Sequence, residues 1–324
     1  MNIGIYVPNW VGDAVMALPF INVIRRECPD DKIIIIGRNW VTDLFKHHPA
    51  VDEIVTVSSS RGLAGTTRTG FNLRKLKLGT IYLLSNSWRS AYMAWLSASD
   101  CRIGFRGQWR SSMLTRAEYL PTGPLHRSEI YLKLIGSPEV GSIHGITISE
   151  EEAAWGRGEM ERLGLEKPLA VFSSSVAPSR RVPIEKWMEI LTDSERGERE
   201  ILFFGSDQER TISQTLAERL NDAVSVCGDY SLRESLVLIS LCSGAIGTDS
   251  GLGHLSANLG LPTVSLFGAG DPVRTTPQGP RAKVVMSSVH CSPCRKNVCL
   301  NREEPLICLT SLEAKKVWET YTSL

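Results

Sequence analysis

Asp13 stands in the stretch NWVGDAVMALP, residues 9–19, directly after the first apolar run, NIGIYVP. A strand that turns into a helix offers free N–H groups and the positive end of the helix dipole, which suit a phosphate. This turn, however, lacks the G-x-G-x-x-G of a dinucleotide fold, and a carboxylate in it would repel a pyrophosphate. The first half of the chain is therefore a poor nucleotide site, and Asp13 calls for another role. It could also cap the helix expected over 13–27.

A better phosphate site lies in TDSGLGHLSANLG, residues 248–260. Ser250 and Gly251 would put a hydroxyl and unobstructed backbone N–H groups at a helix start, which suits a diphosphate. Thr248, Asp249 and Ser250 could equally serve as N-caps of a structural helix. His254 falls in the same helix, on the side facing its start, and an isolated histidine says little by itself. In SSSVAPSRR, residues 173–181, Ser173, Ser174 and Arg180 sit at the C-terminal end of a strand, the edge where doubly wound sheets bind ligands. After the next strand, FFGSDQERT supplies Asp207 and Glu209, which could accept hydrogen bonds from ribose hydroxyls or simply place acids at a helix start.

A third constellation is HCSPCRKNVCLNREEPLIC, residues 290–308, a C-x2-C-x4-C-x8-C pattern through Cys291, Cys294, Cys299 and Cys308. Four thiols this close could wrap one tetrahedral zinc, which would be structural because all four ligands would be protein. By ligand type an iron–sulfur cluster also fits. The other reading is four reduced thiols that steady the C-terminal segment. The remaining four cysteines, Cys28, Cys101, Cys227 and Cys242, are scattered, so no disulfide framework is expected.

These residues need elements to hold them. In the first half, short β-branched runs at 2–7, 32–37, 53–57, 80–85 and 101–105 alternate with helical patterns. A Gly-, Ser- and Pro-containing stretch at 136–152 interrupts the alternation, which resumes with runs at 168–175, 200–206, 223–228, 244–251, 262–268 and 282–286. Strands alternating with helices imply parallel βαβ units. The expectation is an α/β protein of two doubly wound parallel-sheet domains, 1–145 and 146–324, facing each other across a cleft.

Composition agrees with that plan: 324 residues, 42% hydrophobic and 22% charged, with a formal net charge of +1. No apolar run approaches the ~20 residues of a membrane span. The first residues, MNIGIYVPNW, lack the pattern of a signal peptide, and the expected location is cytoplasmic. The near-neutral total conceals a local excess. Between Glu53 and Asp100 there is no acid, yet Arg61, Arg68, Arg74, Lys75, Lys77 and Arg89 all lie there, and Arg102, Arg106, Arg110, Arg116 and Arg127 follow. Such a face suits a polyanion; the surplus is modest and aromatic interleaving sparse, so no nucleic acid is expected.

Taken in order and spacing, VGDAVMALP (11–19), NSWRSA (86–91), RIGFRGQWR (102–110), APSRRVP (177–183), FGSDQE (204–209), TDSGLGHLSANLGLPTVSLFG (248–268) and the late cysteines resemble the ADP-heptose:lipopolysaccharide heptosyltransferases of glycosyltransferase family 9, above all the heptosyltransferase II type. The resemblance implies a GT-B fold with the nucleotide sugar on the C-terminal domain, the acceptor on the N-terminal one, and no metal needed for chemistry. It answers the question of Asp13, which matches the family's catalytic base. An inverting transfer needs one carboxylate to take the acceptor hydroxyl's proton as that oxygen attacks the anomeric carbon.

By the same resemblance Ser250, Gly251, Leu252 and His254 would surround the diphosphate, with Ser173 or Ser174 touching it, Asp249 beside the donor sugar and Glu209 on the adenosine ribose. Two departures stand out: Arg180 replaces the family's lysine on the donor phosphates, and Val182 its tryptophan. A guanidinium keeps the charge but binds oxygens bidentately. The acceptor would be the lipopolysaccharide inner core, met at the cytosolic face of the inner membrane by a peripherally bound enzyme. Arg61, Arg68, Arg89, Arg106 and Arg110 are the cations expected to hold it. GLAGTTRTGFNLRKLKLG, residues 62–79, reads as a mobile acceptor loop near the membrane. Two alternatives keep the fold: a transferase or epimerase using another nucleotide sugar, and a non-catalytic module that binds polyanions or membranes.

Overall fold

The computed structural model describes residues 1–57, 62–136 and 145–324. The chain forms two compact units, Met1–Thr147 and Ile148–Leu324. Unit 1 holds β1 (Asn2–Tyr6), β2 (Lys32–Gly37), β3 (Glu53–Thr56), β4 (Thr80–Leu83), β5 (Cys101–Phe105) and β6 (Arg116–Glu118). Its helices are α1 (Val11–Val15), α2 (Leu18–Glu27), α3 (Asn39–Thr42), α4 (Leu63–Leu73), α5 (Trp88–Leu96) and α6 (Arg127–Leu132). All strands pair in parallel, in the order β3-β2-β1-β4-β5-β6. Ile33 to Ile36 of β2 are all buried, which is what helices on both faces of a parallel sheet require.

Unit 2 repeats the plan with β7 (Leu169–Phe172), β8 (Ile201–Phe203), β9 (Ala223–Ser225), β10 (Gly244–Thr248), β11 (Thr263–Phe267) and β12 (Ala282–Met286). Its helices are α7 (Glu150–Leu163), α8 (Ile184–Leu191), α9 (Arg210–Glu218), α10 (Leu232–Ser240), α11 (Gly251–Asn258), α12 (Pro272–Thr275), α13 (Ile307–Thr310) and α14 (Ala314–Thr322). The parallel order is β12-β11-β10-β7-β8-β9. Alternation along β7 divides the core: Leu169 and Val171 pack in one layer with Ile201, Phe203 and Trp318, while Ala170 and Phe172 join Leu202 and Phe204 in the other. Each of the larger side chains, Val, Leu, Ile or Phe, contributes about 1.5–3 kcal/mol when taken from water.

The two strand orders fix where ligands can bind. In each sheet the winding reverses beside the first strand, between β1 and β4 in unit 1 and between β7 and β10 in unit 2. The crevice beyond the carboxyl ends of the strands at that reversal is where open α/β sheets take ligands. Asp13 follows β1, and Ser173 to Ser175 and Asp249 to Gly251 follow β7 and β10.

Three local expectations are corrected. The helix expected over 13–27 is broken into α1 and α2, because Pro19 in the first turn of α2 cannot donate to the carbonyl of Val15. Asp13 is then the third residue of α1 and does not cap it: Trp10 is the N-cap and its side chain makes no cap bond. Residues 62–79 are not a mobile loop. Leu63–Leu73 is helical, with Thr66, Gly70 and Leu73 on its buried face at i, i+4 and i+7.

Candidate active site

In unit 2 the loops after β7 and β10 are bound to each other. Thr248 Oγ1 donates to the Ser174 carbonyl at 2.7 Å, and Ser175 Oγ to the Asp249 carbonyl at 3.3 Å. Trp187 Nε1 holds the Ser173 carbonyl at 2.8 Å, and Arg181 Nε the Ser175 carbonyl at 2.7 Å. Ser173, Ser174 and Ser175 are buried as a result. The structure thus brings Ser173, Ser174, Asp249, Ser250, Gly251, Leu252 and His254 to one crevice at the start of α11, with His254 buried in its first turns.

Ser250 is the N-cap of α11, but its side chain makes no capping bond, and its Oγ is a buried hydroxyl without a hydrogen-bond partner among the described residues. The capping role is therefore not filled by that hydroxyl. A buried hydroxyl left unbonded costs about 1–3 kcal/mol, and a ligand oxygen at the helix start would recover it.

Arg180 reaches the same place. Its Nη1 lies 3.1 Å from Asp249 Oδ2, an ion pair in which Asp249 is 5% and Arg180 30% exposed. Asp249 Oδ2 and Arg180 Nε still lack a hydrogen bond of good geometry among the described residues. Burial raises the Asp249 pKa above the ordinary carboxylate value, and Arg180 opposes that rise. Gly270 makes the packing feasible: a Cβ there would fall 2.0 Å from Asp249 Oδ2. Glu209 sits after β8, where its Oε2 accepts from Ser206 N at 2.7 Å and Ser206 Oγ at 2.8 Å, a capping box. Asp207 pairs with Arg210 at 3.0 Å.

In unit 1, Asp13 keeps 27% of its side chain exposed, so its carboxylate is not sealed in the interior, and Arg127 Nε lies 3.5 Å from its Oδ1. Tyr131 beneath it is buried, and burial together with the Asp13 charge raises its phenol well above the ordinary value, against the pull of Arg127.

The cations expected to hold an acceptor do not share one environment. Arg68 is exposed on α4 and lines a cavity of about 480 Å³ with Val55, Thr69 and Asn72. Arg89, half-buried at the start of α5, lies close enough for its charge to lower the Tyr6 phenol against the larger rise from burial. Arg106 is exposed and lies 4.1 Å from the Tyr119 ring centroid. Arg61 lies outside the described residues. Arg110 departs from the expected basic face, for it is 0% exposed. Its Nη1 donates to the Ser85 carbonyl at 2.6 Å, and Gly104 leaves room for the guanidinium, since a Cβ there would be 2.7 Å from Nη2. Burial pushes its pKa down to about 10, so it stays charged at neutral pH and secures the exit of β4.

Residues 67–304 match the sequence profile of glycosyltransferase family 9 (heptosyltransferase), well over half of the chain. The chain belongs to that family. It is 24% identical over 308 residues to the lipopolysaccharide heptosyltransferase 2 of Salmonella typhimurium, covering 88% of each chain. It is 27% identical over 336 residues to the lipooligosaccharide heptosyltransferase 2 of Campylobacter jejuni, covering 100% of this chain and 98% of that one. Its fold matches the Escherichia coli ADP-heptose LPS heptosyltransferase II with a TM-score of 0.84 at 22% identity, covering 100% and 98% of the two chains. The two parallel α/β sheets are those of a GT-B heptosyltransferase.

In this family 9 chain Cys291, Cys294, Cys299 and Cys308 line one cavity of about 120 Å³. Burial and the three neighbouring thiols push the Cys308 thiol up to about 11, and the Leu306 N–H donates to Cys299 Sγ at 3.4 Å. Among the described residues no three Cys, His, Asp or Glu side chains are gathered as a metal site. Sequence reasoning missed Ser175, Gly270 and Trp187, which build the crevice at the start of α11, and the pairing of Arg127 with Asp13. The glycine of FGAGD, directly after a strand, was the only readable signal for Gly270.

Proposed function

We propose that this enzyme transfers a heptose from ADP-heptose to the inner core of lipopolysaccharide, with inversion. Unit 2 takes the donor. Its diphosphate meets the first N–H groups of α11, the Ser250 hydroxyl, Ser173 or Ser174, and the Arg180 guanidinium, while Glu209 accepts from the adenosine ribose. Unit 1 takes the acceptor and supplies Asp13. As the acceptor oxygen attacks the anomeric carbon, Asp13 accepts its proton and the bond from that carbon to the phosphate oxygen breaks. ADP departs with the electron pair, its charge stabilised by Arg180 and the helix dipole. Asp13 suits the base role because it is partly exposed, and Arg127 holds its carboxylate. The transfer so described uses no metal ion.

The observation that carries the donor half is the unbonded Ser250 hydroxyl at the start of α11, beside a cation already drawn to the crevice. The ADP-heptose named for the Escherichia coli relative supports ADP-heptose as the donor. Isothermal calorimetry with ADP-heptose and with UDP-hexoses tests it. ADP-heptose should bind at least tenfold more tightly, roughly 1.4 kcal/mol; equal or reversed preference would turn the reading to another nucleotide sugar.

A further inference from the structure

The helices on either side of β4 share an outward face of unusual composition. On α5, Trp88, Tyr92 and Trp95 follow at i, i+4 and i+7 and stack as a ladder. Trp88 and Tyr92 have ring centroids 4.9 Å apart at 17°, and Tyr92 and Trp95 6.1 Å apart at 23°. Trp88 remains 39% and Trp95 51% exposed. α4 lies directly against this helix. A Cβ at Gly70 would come within 2.6 Å of Leu96, the Thr67 and Tyr92 hydroxyls meet at 3.3 Å, and Arg74 Nε donates to the Leu96 carbonyl at 2.7 Å. The Arg74 guanidinium covers the Phe71 ring at 4.6 Å, and Phe71 is itself 46% exposed. Thr67, Phe71 and Arg74 therefore form a second stripe, with the same spacing, beside the aromatic one.

Charge completes the pattern. No acid occurs between Glu53 and Asp100, while Arg68, Arg74, Lys75 and Lys77 are all exposed there. Tryptophan and tyrosine settle where one end of the ring is apolar and the other wet, and cations beside them are drawn to anionic headgroups. The other polyanion, nucleic acid, is served poorly, because these rings are stacked on one another and present few free faces to a base. Aromatic rings and arginine also suit a protein interface, but lysine is depleted there, and exposed Lys75 and Lys77 favour the lipid surface. Among the described residues no helix is long and apolar enough to cross a membrane.

We propose that the α4–α5 face seats unit 1 on an anionic lipid bilayer, with Trp88, Trp95 and Phe71 at headgroup level and Arg74, Lys75 and Lys77 against the lipid phosphates. The proposal deepens the reading above, since it brings the enzyme to a lipid-borne acceptor. Its test is co-sedimentation of the full chain with vesicles of phosphatidylcholine and phosphatidylglycerol in equal parts, and with phosphatidylcholine alone. Binding should favour the anionic vesicles at least tenfold and weaken with salt. Lys75→Gln/Lys77→Gln should lose about fivefold for each cation, at about 1 kcal/mol apiece, and Phe71→Ser/Trp95→Ser roughly tenfold in all. Both variants should keep the wild-type melting curve, donor affinity and transfer to a water-soluble core saccharide, and lose transfer only to acceptor embedded in vesicles. Equal binding to both vesicle types, variants that bind as wild type, or loss of transfer to the soluble saccharide would overturn the docking face. Vesicle binding that the variants lose, in an enzyme that transfers heptose to no acceptor, would uphold the docking face and overturn the transferase reading.

Discussion

Replacing Arg180 by alanine separates what this residue does for the fold from the role proposed for it on the donor. Asp249 is 5% exposed and Arg180 30%, so the variant leaves a buried carboxylate without its cation. Breaking a fully buried pair costs about 3–5 kcal/mol; with Arg180 partly in water the screened figure is nearer ~2 kcal/mol. The cost depends on pH in a definite direction. Burial already raises the Asp249 pKa, and Arg180 is what restrains it. Without Arg180 the folded-state pKa rises further, so the native state binds a proton that the unfolded chain has released. Stability then falls as pH rises from the unfolded carboxylate value through the folded one, and recovers as pH falls back. Urea melts of Arg180→Ala at pH 7 and pH 5 should show the deficit shrinking at the lower pH. Arg180→Ala/Asp249→Asn should remove most of it at both. ADP affinity, measured by calorimetry, should fall at least tenfold in the single variant and stay low in the double one, whose fold is repaired but whose cation is still missing. A deficit unaffected by pH and by Asp249→Asn, or wild-type ADP affinity in either variant, would mean that Arg180 does not play these two parts.

Further outcomes follow from the same geometry. Asp13→Asn should lower kcat by roughly 10²–10⁴-fold with unchanged donor affinity; because the Arg127 pair is partly exposed, its melt should shift by less than about 1 kcal/mol. Gly270→Ala places a methyl group 2.0 Å from Asp249 Oδ2, so calorimetry should find weakened ADP binding and thermal melts a loss of about 1–3 kcal/mol. Alkylation with iodoacetamide, read by peptide mass spectrometry, should mark exposed Cys101 and Cys294 before buried Cys227, Cys242 and Cys308. Protection of Cys294 that a chelator removes would instead establish a metal ion among the four clustered thiols.

Much of the architecture was legible because β-branched runs separated by helical periods can hardly form anything but parallel βαβ units. Of the strands among the described residues only β6 escaped notice: Arg116–Glu118 is a three-residue edge whose order comes from pairing with β5, not from an apolar pattern. The crevice at the start of α11 was readable in outline, since a serine and glycines between a strand and a helix carry their chemistry locally. Its supports were not. Gly270 and Trp187 act through long-range packing on Asp249 and Ser173, which sequence spacing does not encode. Arg110 was misplaced for a related reason: in sequence it belongs to a basic run, and only the missing side chain at Gly104 lets it turn inward. The stretch 62–79 looked loop-like from its glycines, yet one of them, Gly70, is what allows α4 to approach α5.

Heptose transfer by this enzyme is read most directly from its product. Purified enzyme would be incubated with ADP-heptose and an inner-core acceptor that lacks the next heptose, and the glycolipid analysed by mass spectrometry and by NMR of the new anomeric centre. The expected result is a gain of one heptose with inverted configuration and one ADP released for each sugar transferred. An unchanged acceptor with intact donor, or free heptose released to water, would contradict it.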